Sequence, residues 1–396
     1  MPQKIAKTTC ALLTPKGRGA VAVIAVSGTG AQTSIEAEFQ TASGKPYSQT
    51  APRKIVYGLW RSSGEDLVVY RRNATEFEIH CHGGNTASTS ILKTLSSRQI
   101  ERISAHEFET NLHGLWKSET LEALSKATTE RTATLLLHQY ELLPQSIEAV
   151  IADIESGEIQ TAISKLADIN RWANFGIHLT QPRSIVLCGR PNVGKSSLAN
   201  AIVGFQRTIV HDVAGTTRDV ISQLTAIDGW PVELSDTAGL RDSQNKIEAI
   251  GIQKAKSQIE SADVKICVFD LSLPWGTDDQ ATLELVEPDL IVHNKCDLPS
   301  ILSSDSKDNE TTSISRPAGI STSAASGTGI DHLIKQIGER LFEALPPADQ
   351  AIPVSLAQAD RLRTAEKLLR LVDSRDQEMG MAGALQQLRP FPRSNE

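Results

Sequence analysis

Residues 189–197 read Gly189-Arg190-Pro191-Asn192-Val193-Gly194-Lys195-Ser196-Ser197, a G-x-x-x-x-G-K-[ST] spelling. A β-like run, Ser184 to Cys188, precedes it, and a helix-like run, Ser197 to Ile202, follows. That strand–loop–helix order is what a P-loop requires. Glycines let successive backbone N–H groups curl around phosphate oxygens, Lys195 neutralises β/γ charge, and the Ser196 hydroxyl is a Mg²⁺ ligand. The positive end of the following helix adds to the attraction.

Four further elements follow in order. Gly215-Thr216-Thr217-Arg218-Asp219 has the form of a first switch, in which the Thr217 hydroxyl reaches Mg²⁺ and the γ-phosphate. Two strand-like runs, Ile221 to Ile227 and Val232 to Ser235, are joined by Asp228-Gly229, a favoured hairpin turn. Asp236-Thr237-Ala238-Gly239 supplies D-x-x-G, with Asp236 placed to hold Mg²⁺ through water and the Gly239 N–H placed to sense the γ-phosphate. The β-like run Asp289 to His293 leads into Asn294-Lys295-Cys296-Asp297, and N-K-x-D selects the base. The Asp297 carboxylate can accept both N1–H and the 2-amino group of guanine. Adenine would leave that charge unpaired, and sites built this way discriminate by ~10⁴ or more. Ser321-Thr322-Ser323-Ala324 has the form of a fifth, guanine-contacting loop, with Ser323 and Ala324 nearest the base. It precedes a helix with Ile330, Leu333, Ile334 and Ile337 on one face. The set predicts a guanine-nucleotide-binding domain built from Asn192, Val193, Gly194, Lys195, Ser196, Ser197, Thr216, Thr217, Asp236, Thr237, Ala238, Gly239, Asn294, Lys295, Asp297, Ser323 and Ala324.

The residue after D-x-x-G is Leu240, where small signalling GTPases carry a water-orienting glutamine. Leucine cannot polarise water, so hydrolysis needs another device. An asparagine in the P-loop, Asn192, can hold a monovalent cation against the phosphates and do the electrostatic work of an arginine finger.

The rest of the chain bounds the class. A length of 396 residues suits two or three domains, and 40% hydrophobic content allows a real core. The net charge of −7 argues against a surface that coats nucleic acid generally. No apolar run reaches the roughly 18 residues of a membrane span, and no signal-peptide layout opens the chain. Cys10, Cys81, Cys188, Cys267 and Cys296 are scattered and form no C-x-x-C pair, against a disulfide framework or a zinc site. A cytoplasmic protein is expected. Before the P-loop, strand-like runs at Val21 to Val26, Ile55 to Trp60, Leu67 to Tyr70 and Phe77 to His80, with a helix at Thr86 to Leu95, predict a small unit of mixed strands. His80-Cys81-His82-Gly83-Gly84 fits a strand running into a glycine turn better than any standard zinc spacing. Helical periodicity then takes over at Ile147, Val150, Ile151, Ile154 and at Ile159, Ala162, Ile163, Leu166, with Asn174 to Pro182 expected as a break. After Pro346-Pro347 a helix with Leu362, Ala365, Leu369 and Val372 on one face is expected to pack back on those helices. Arg361, Arg363, Lys367 and Arg370 give it a basic flank, and the glycine- and proline-broken residues Gly380 to Pro392 are expected to be loosely ordered.

The P-loop, Ala214-Gly215-Thr216-Thr217-Arg218-Asp219-Val220, Asp236-Thr237-Ala238-Gly239-Leu240-Arg241 and Glu248-Ala249-Ile250-Gly251-Ile252 together resemble the MnmE (TrmE) family of tRNA-modification GTPases. Thr14-Pro15-Lys16-Gly17-Arg18-Gly19, Ser27-Gly28, Glu78 with His82-Gly83-Gly84, Glu107-Phe108-Glu109 and Lys117 extend the similarity towards the N-terminus. The resemblance implies an α/β P-loop GTPase domain inserted in an α-helical domain, preceded by a small α+β folate-binding-like domain. The expected boundaries are 1–117 (folate-binding and dimerisation), 118–181 and 346–396 (the two helical parts) and 182–345 (the GTPase domain). It further implies action on C5 of a tRNA wobble uridine with an MnmG-like flavoprotein, a homodimer through the N-terminal domain, and hydrolysis dependent on Mg²⁺ and K⁺. By position, Ser196 and Thr217 would hold Mg²⁺. Asn192, His211, Val213 and Thr216 would hold K⁺. Glu248 would orient the attacking water, making Glu248, Asn192 and Lys195 the catalytic set. Glu78 and Lys117 would contact a tetrahydrofolate derivative. Two departures stand out: Ala25 occupies a position where an arginine is expected, and the family's C-x-G-K tail has no counterpart among these residues. They motivate an alternative expectation, a GTP-driven switch or ribosome-assembly factor without the modifying chemistry.

Overall fold

The computed structural model describes residues 7–15, 19–205, 222–236, 257–299, 315–342, 344–371 and 377–389. The chain divides into two compact units, Met1–Glu119 and Thr120–Glu396.

The first unit is a seven-stranded sheet of order β3-β4-β5-β6-β2-β1-β7. Its strands are β1 Thr9–Leu12, β2 Val21–Ser27, β3 Phe39–Thr41, β4 Ile55–Trp60, β5 Glu65–Arg71, β6 Glu76–His82 and β7 Glu101–Arg102. All pairs are antiparallel except β1 with β7. Helices α1 Ala31–Glu38 and α2 Asn85–Ser97 cover one face, where Ile24, Val26, Val69, Ile79, Ile35, Ile91 and Leu95 are fully buried. Helix α3 Ala105–His113 lies against Ala11 and Ala25 through Phe108. The strands and helix expected from pattern are present; β1, α1, β3 and α3 are additions that carry too few periodic positions to announce themselves.

The second unit joins helices to a second sheet. Helix α4 Leu115–Ser125 begins in the first unit and ends in the second, followed by α5 Glu130–Glu155, α6 Ile159–Asn170 and α7 Ala173–Ile177. The break expected at Asn174 is therefore still helical as far as Ile177, because Ala173, Phe175 and Ile177 are buried. The sheet comprises β8 Arg183–Cys188, β9 Ser222–Ile227, β10 Trp230–Asp236, β11 Val264–Asp270, β12 Leu290–Asn294 and β13 Ile320–Ser321, in the order β13-β12-β11-β8-β10-β9. Only β9 and β10 pair antiparallel, across Asp228 and Gly229, both at positive φ (50° and 76°) as the expected turn demands. Parallel strands buried on both faces need apolar residues at every position. On β8, Ile185 and Leu187 enter one core with Leu198, Ile202, Leu333 and Ile337, while Val186 and Cys188 enter the other with Cys267 and Phe269. Helices α8 Lys195–Phe205, α9 Thr277–Val286 and α10 Ile330–Leu341 complete the layers.

The chain returns to the helices through two buried glutamines. Gln139 on α5 donates to Gln350 O at 3.0 Å and accepts from Ile352 N at 3.0 Å. Gln358 accepts from Val354 N at 2.8 Å and donates to Thr120 Oγ1 at 3.3 Å. Helix α11 Leu356–Arg370 then packs on α6, as its Leu362, Ala365 and Leu369 face implies; Val372 lies outside the described residues. The expectation of a loose end at Gly380 is corrected. Residues Gln377–Leu388 form α12, held against α11 and α5 by buried Ala384 and Leu388 and by the close approach of Gly383 to Leu368. The basic flank of α11 is partly neutralised on its own helix, Arg363 by Asp360 and Arg370 by Glu366.

His293 on β12 is 4% exposed and its Nε2 lies 2.9 Å from Pro317 O, an acceptor only, so the proton sits on Nε2. Its Nδ1 is buried with no hydrogen-bond partner among the described residues. Burial lowers the pKa of this imidazole, opposed by the bond to Pro317 and reinforced by Arg316. The unfolded chain takes up this proton as pH falls through about 6.5, while the folded imidazole stays neutral. Its contribution is therefore complete above that pH and is lost as pH drops below it towards the folded-state value. Urea midpoints should fall from pH 7.5 to pH 5.5, with a shallower slope in His293→Gln; equal slopes would contradict this account.

Candidate nucleotide-binding site

The sheet order reverses at β8, whose neighbours β10 and β11 lead in opposite directions, and the P-loop leaves the carboxyl end of that strand. Open α/β sheets bind their ligands at such a switch point. Helix α8 begins at Lys195, so its unsatisfied N–H groups face the loop. Lys195 is 4% exposed, and its ammonium donates to Gly189 O at 3.0 Å and Arg190 O at 2.9 Å. The loop's own carbonyls thus arch the cation over the ring of amides. Gly194 has φ 95°, and a Cβ there would lie 2.3 Å from Asn294 Nδ2. Only glycine lets the loop pass that close.

The Ser196 hydroxyl donates to Asp236 Oδ2 at 2.5 Å. Asp236 ends β10, in parallel register with Leu187 on β8, which is how residues forty apart in sequence meet. Two hard oxygen donors from the P-loop and D-x-x-G converge there, a donor set that suits Mg²⁺. Thr217, the other expected Mg²⁺ ligand, lies outside the described residues, as do Thr216, Thr237, Ala238, Gly239, His211, Val213 and Glu248. Asn192 is described: it is exposed, at φ 65°.

The N-K-x-D loop and the Ser321 to Ala324 loop are drawn together by one side chain. Asn294, 1% exposed, donates from Nδ2 to Val193 O at 3.0 Å. Its Oδ1 accepts from Ala324 N at 3.1 Å and from Thr322 Oγ1 at 3.3 Å. Backbone bonds from Thr322 N to His293 O (2.8 Å) and from Cys296 N to Thr322 O (3.0 Å) lock the two loops. Lys295 donates to Asn192 O and to Asp270 Oδ2, each at 2.7 Å. Asp297 stays exposed, free to face a base, and Ser323 is buried with its hydroxyl accepting from Ser326 N. Asn192 to Ser197, Asp236, Asn294, Lys295, Asp297, Ser323 and Ala324 therefore lie on neighbouring loops at one edge of the sheet. Asp270 lies outside every motif of the sequence, and Thr322, inside the Ser321 to Ala324 stretch, has no contact of its own assigned there. The available signal for Asp270 is its place at the end of the apolar run Val264 to Phe269, between D-x-x-G and N-K-x-D.

The other sequence candidates lie in the first unit. Glu78 on β6 accepts from Arg72 Nη2 at 2.8 Å and pairs with His80 Nε2 at 3.1 Å; Lys117, on α4, is half-buried. Ala25 is the cross-strand partner of Glu78. The cavity beside them, lined by Ala25, Arg72, Glu78, Phe108 and Glu109, is about 30 Å³. Cys81 points inward and donates to Ala22 O, while His82 is exposed and bonds Glu65 at 2.7 Å, so the His-Cys-His run does not converge. All five cysteines are free thiols, and burial pushes Cys188 up to about 11 and Cys267 up to about 12.

A mostly parallel sheet with a P-loop at its switch point, a Ser–Asp pair whose oxygens suit Mg²⁺ and an N-K-x-D loop tied to the P-loop have the form of a GTPase. The description "50S ribosome-binding GTPase" belongs to the family model that matches residues 184–295, and "GTP-binding protein TrmE N-terminus" to the one that matches residues 8–111. The tRNA modification GTPase MnmE of Lacticaseibacillus paracasei is 30% identical over 412 residues, covering 91% of this chain and 87% of that protein. The MnmE of Natranaerobius thermophilus is 30% identical over 380 residues, covering 85% and 82%. The chain belongs to the MnmE family of tRNA modification GTPases.

Gly194→Ala should test the loop geometry. The strained φ and the Asn294 contact together are expected to cost about 1–3 kcal/mol of stability and to abolish tight GDP binding. Thermal unfolding and titration with a fluorescent GDP would read both; wild-type affinity in this variant would refute the close approach.

Proposed function

We propose that this protein hydrolyses GTP in a Mg²⁺- and K⁺-dependent reaction, in the cytoplasm, to drive modification at C5 of the wobble uridine of tRNA together with an MnmG-like flavoprotein. The observation that carries the reading is the tied P-loop and N-K-x-D site on a chain whose residues 8–111 match the TrmE N-terminus. Mg²⁺ supplies charge neutralisation on the phosphates, and Ser196 and Asp236 are the donors the chain brings to it, with Thr217 as a third. Lys195 binds and orients the phosphate chain. Asn192, with His211, Val213 and Thr216, forms the K⁺ site that stands in for an arginine finger, and Glu248 orients the attacking water in place of the glutamine that Leu240 displaces. Dimerisation runs through the N-terminal domain of residues 1–117, ahead of a GTPase domain of residues 182–345 set into helical parts 118–181 and 346–396. Glu78, whose carboxylate meets Arg72, and Lys117 would contact a tetrahydrofolate derivative. Among the described residues no helix is long and apolar enough to cross a membrane.

A second reading, a GTP-driven switch without the modifying chemistry, is favoured by one observation: Ala25 faces Glu78 where the family resemblance calls for arginine. GTPase rates in KCl and NaCl over a range of protein concentrations, followed by nucleoside analysis of tRNA incubated with the flavoprotein, separate the two. Strong K⁺ stimulation rising with concentration, and a new wobble-uridine product, are expected. K⁺-indifferent, concentration-independent turnover with unchanged tRNA would leave the switch. Glu248→Ala should slow hydrolysis by about a hundredfold with GDP affinity retained, as a transition-state role requires. For Asp297→Asn the preference for GTP over ATP should collapse; an unchanged preference would contradict the base assignment.

A further inference from the structure

Asp270 belongs to none of the motif spellings, yet it lies where the P-loop and the base-reading loop meet. It ends β11, which runs parallel to β8 on one side and to β12 on the other. Its register partner on β12 is Asn294, and Leu271 N donates to Asn294 O at 2.8 Å. The carboxylate is fixed from one side: Oδ1 accepts from Ser272 N at 3.0 Å and from Ser272 Oγ at 2.6 Å. The other oxygen, Oδ2, takes Lys295 Nζ at 2.7 Å, and the same ammonium reaches Asn192 O at 2.7 Å.

The geometry points to Asp270 as a positioning residue for guanine-nucleotide binding: held by Ser272, it presents Lys295 to the P-loop carbonyl of Asn192 and so sets the spacing of the P-loop and the N-K-x-D loop in advance of the nucleotide. The inference rests on the reading of this site as a guanine-nucleotide site. A lysine stem has four rotatable bonds and samples many directions unless something fixes its head. Asn192 and Lys295 both sit at φ 65°, a region non-glycine residues enter only when surrounding contacts hold them there. Their bond joins the two, and Asp270 is the anion that anchors the donor. Its side chain is 8% exposed, so the pairing is little screened by solvent. Burial alone would raise the Asp270 carboxyl, but the hydrogen bonds from Lys295 and Ser272 outweigh it and hold the group below the usual range, so it is anionic wherever the enzyme works.

The test is a titration of the purified full-length protein with fluorescent GDP in Mg²⁺, with GTPase kinetics and thermal unfolding on the same samples. Four variants are compared: Asp270→Asn, Lys295→Met, the double substitution and Ser272→Ala. Loss of a charge-assisted hydrogen bond should weaken GDP binding in Asp270→Asn by about tenfold, appearing in KM rather than kcat. Because Asp270 acts through Lys295, the double variant should bind no more weakly than Lys295→Met alone. Ser272→Ala, which keeps the carboxylate and loosens it, should lose about threefold. Binding by Asp270→Asn within twofold of wild type, or additive losses in the double variant, would overturn the inference. Should Asp270→Asn not fold, Ser272→Ala decides: a threefold loss with unchanged unfolding temperature supports the role, and wild-type affinity overturns it. A wild-type protein that does not prefer GDP to ADP would overturn the nucleotide reading as well, and that result is seen before any substitution is made.

Discussion

The Asn294 side chain holds three loops together. Its amide nitrogen reaches Val193 O in the P-loop and its amide oxygen takes Ala324 N and Thr322 Oγ1, all in a space where the residue is 1% exposed. An amide has both a donor and an acceptor end, and each is used against a group that burial would otherwise leave unpaired. Aspartate of the same shape would face Val193 O with a second acceptor, and leucine would orphan all three partners.

The loops can be fixed so tightly because the strands beneath them are. β8, β11 and β12 are parallel, adjacent and buried on both faces, so their carboxyl ends emerge at one level of the sheet. Motifs separated by about a hundred residues thereby come within hydrogen-bond distance; Asn294 and Val193 are 101 positions apart. The neighbouring β10 brings Asp236 to the same level beside Leu187. Sheet register places Asp236, and the P-loop brings Ser196 to it.

That arrangement explains what the sequence discloses. A phosphate-binding loop has a strict local grammar, since its glycines, lysine and hydroxyl serve one ligand, and β8 and α8 flank it as expected, although α8 runs from Lys195 to Phe205, longer at both ends than the Ser197 to Ile202 expected. N-K-x-D is legible for the same reason. Asp270 and the buried Gln139 serve other parts of the protein instead, with partners 25 and 213 positions away in the chain, and local spelling cannot reveal a partner at that distance. Helix α12 illustrates the converse error. Glycines at 380 and 383 predict disorder by propensity, yet Gly383 is where the helix approaches Leu368, and packing outweighs a propensity cost of about 1 kcal/mol per glycine.

The β9–β10 hairpin extends the site's reach into the helices. At one end of β10 stands Asp236, bonded to the P-loop serine; at the other, Trp230 is 3% exposed, stacked on Phe342 at 4.9 Å and edge-on to Phe175 at 5.3 Å. Thr129, the N-cap of α5, donates to Gly229 O at 2.7 Å, and Arg131 on the first turn lies over the indole at 4.3 Å while pairing with Asp228. The ion pair is largely exposed and adds at most about 1 kcal/mol, whereas burying the indole contributes about 2–3 kcal/mol. The hairpin is therefore anchored to α5 by aromatic packing, with the charges fixing its angle. A seven-residue strand with ladder bonds on both sides cannot move one end alone. The carboxylate that takes the P-loop serine and the indole that meets the helices are consequently parts of one element.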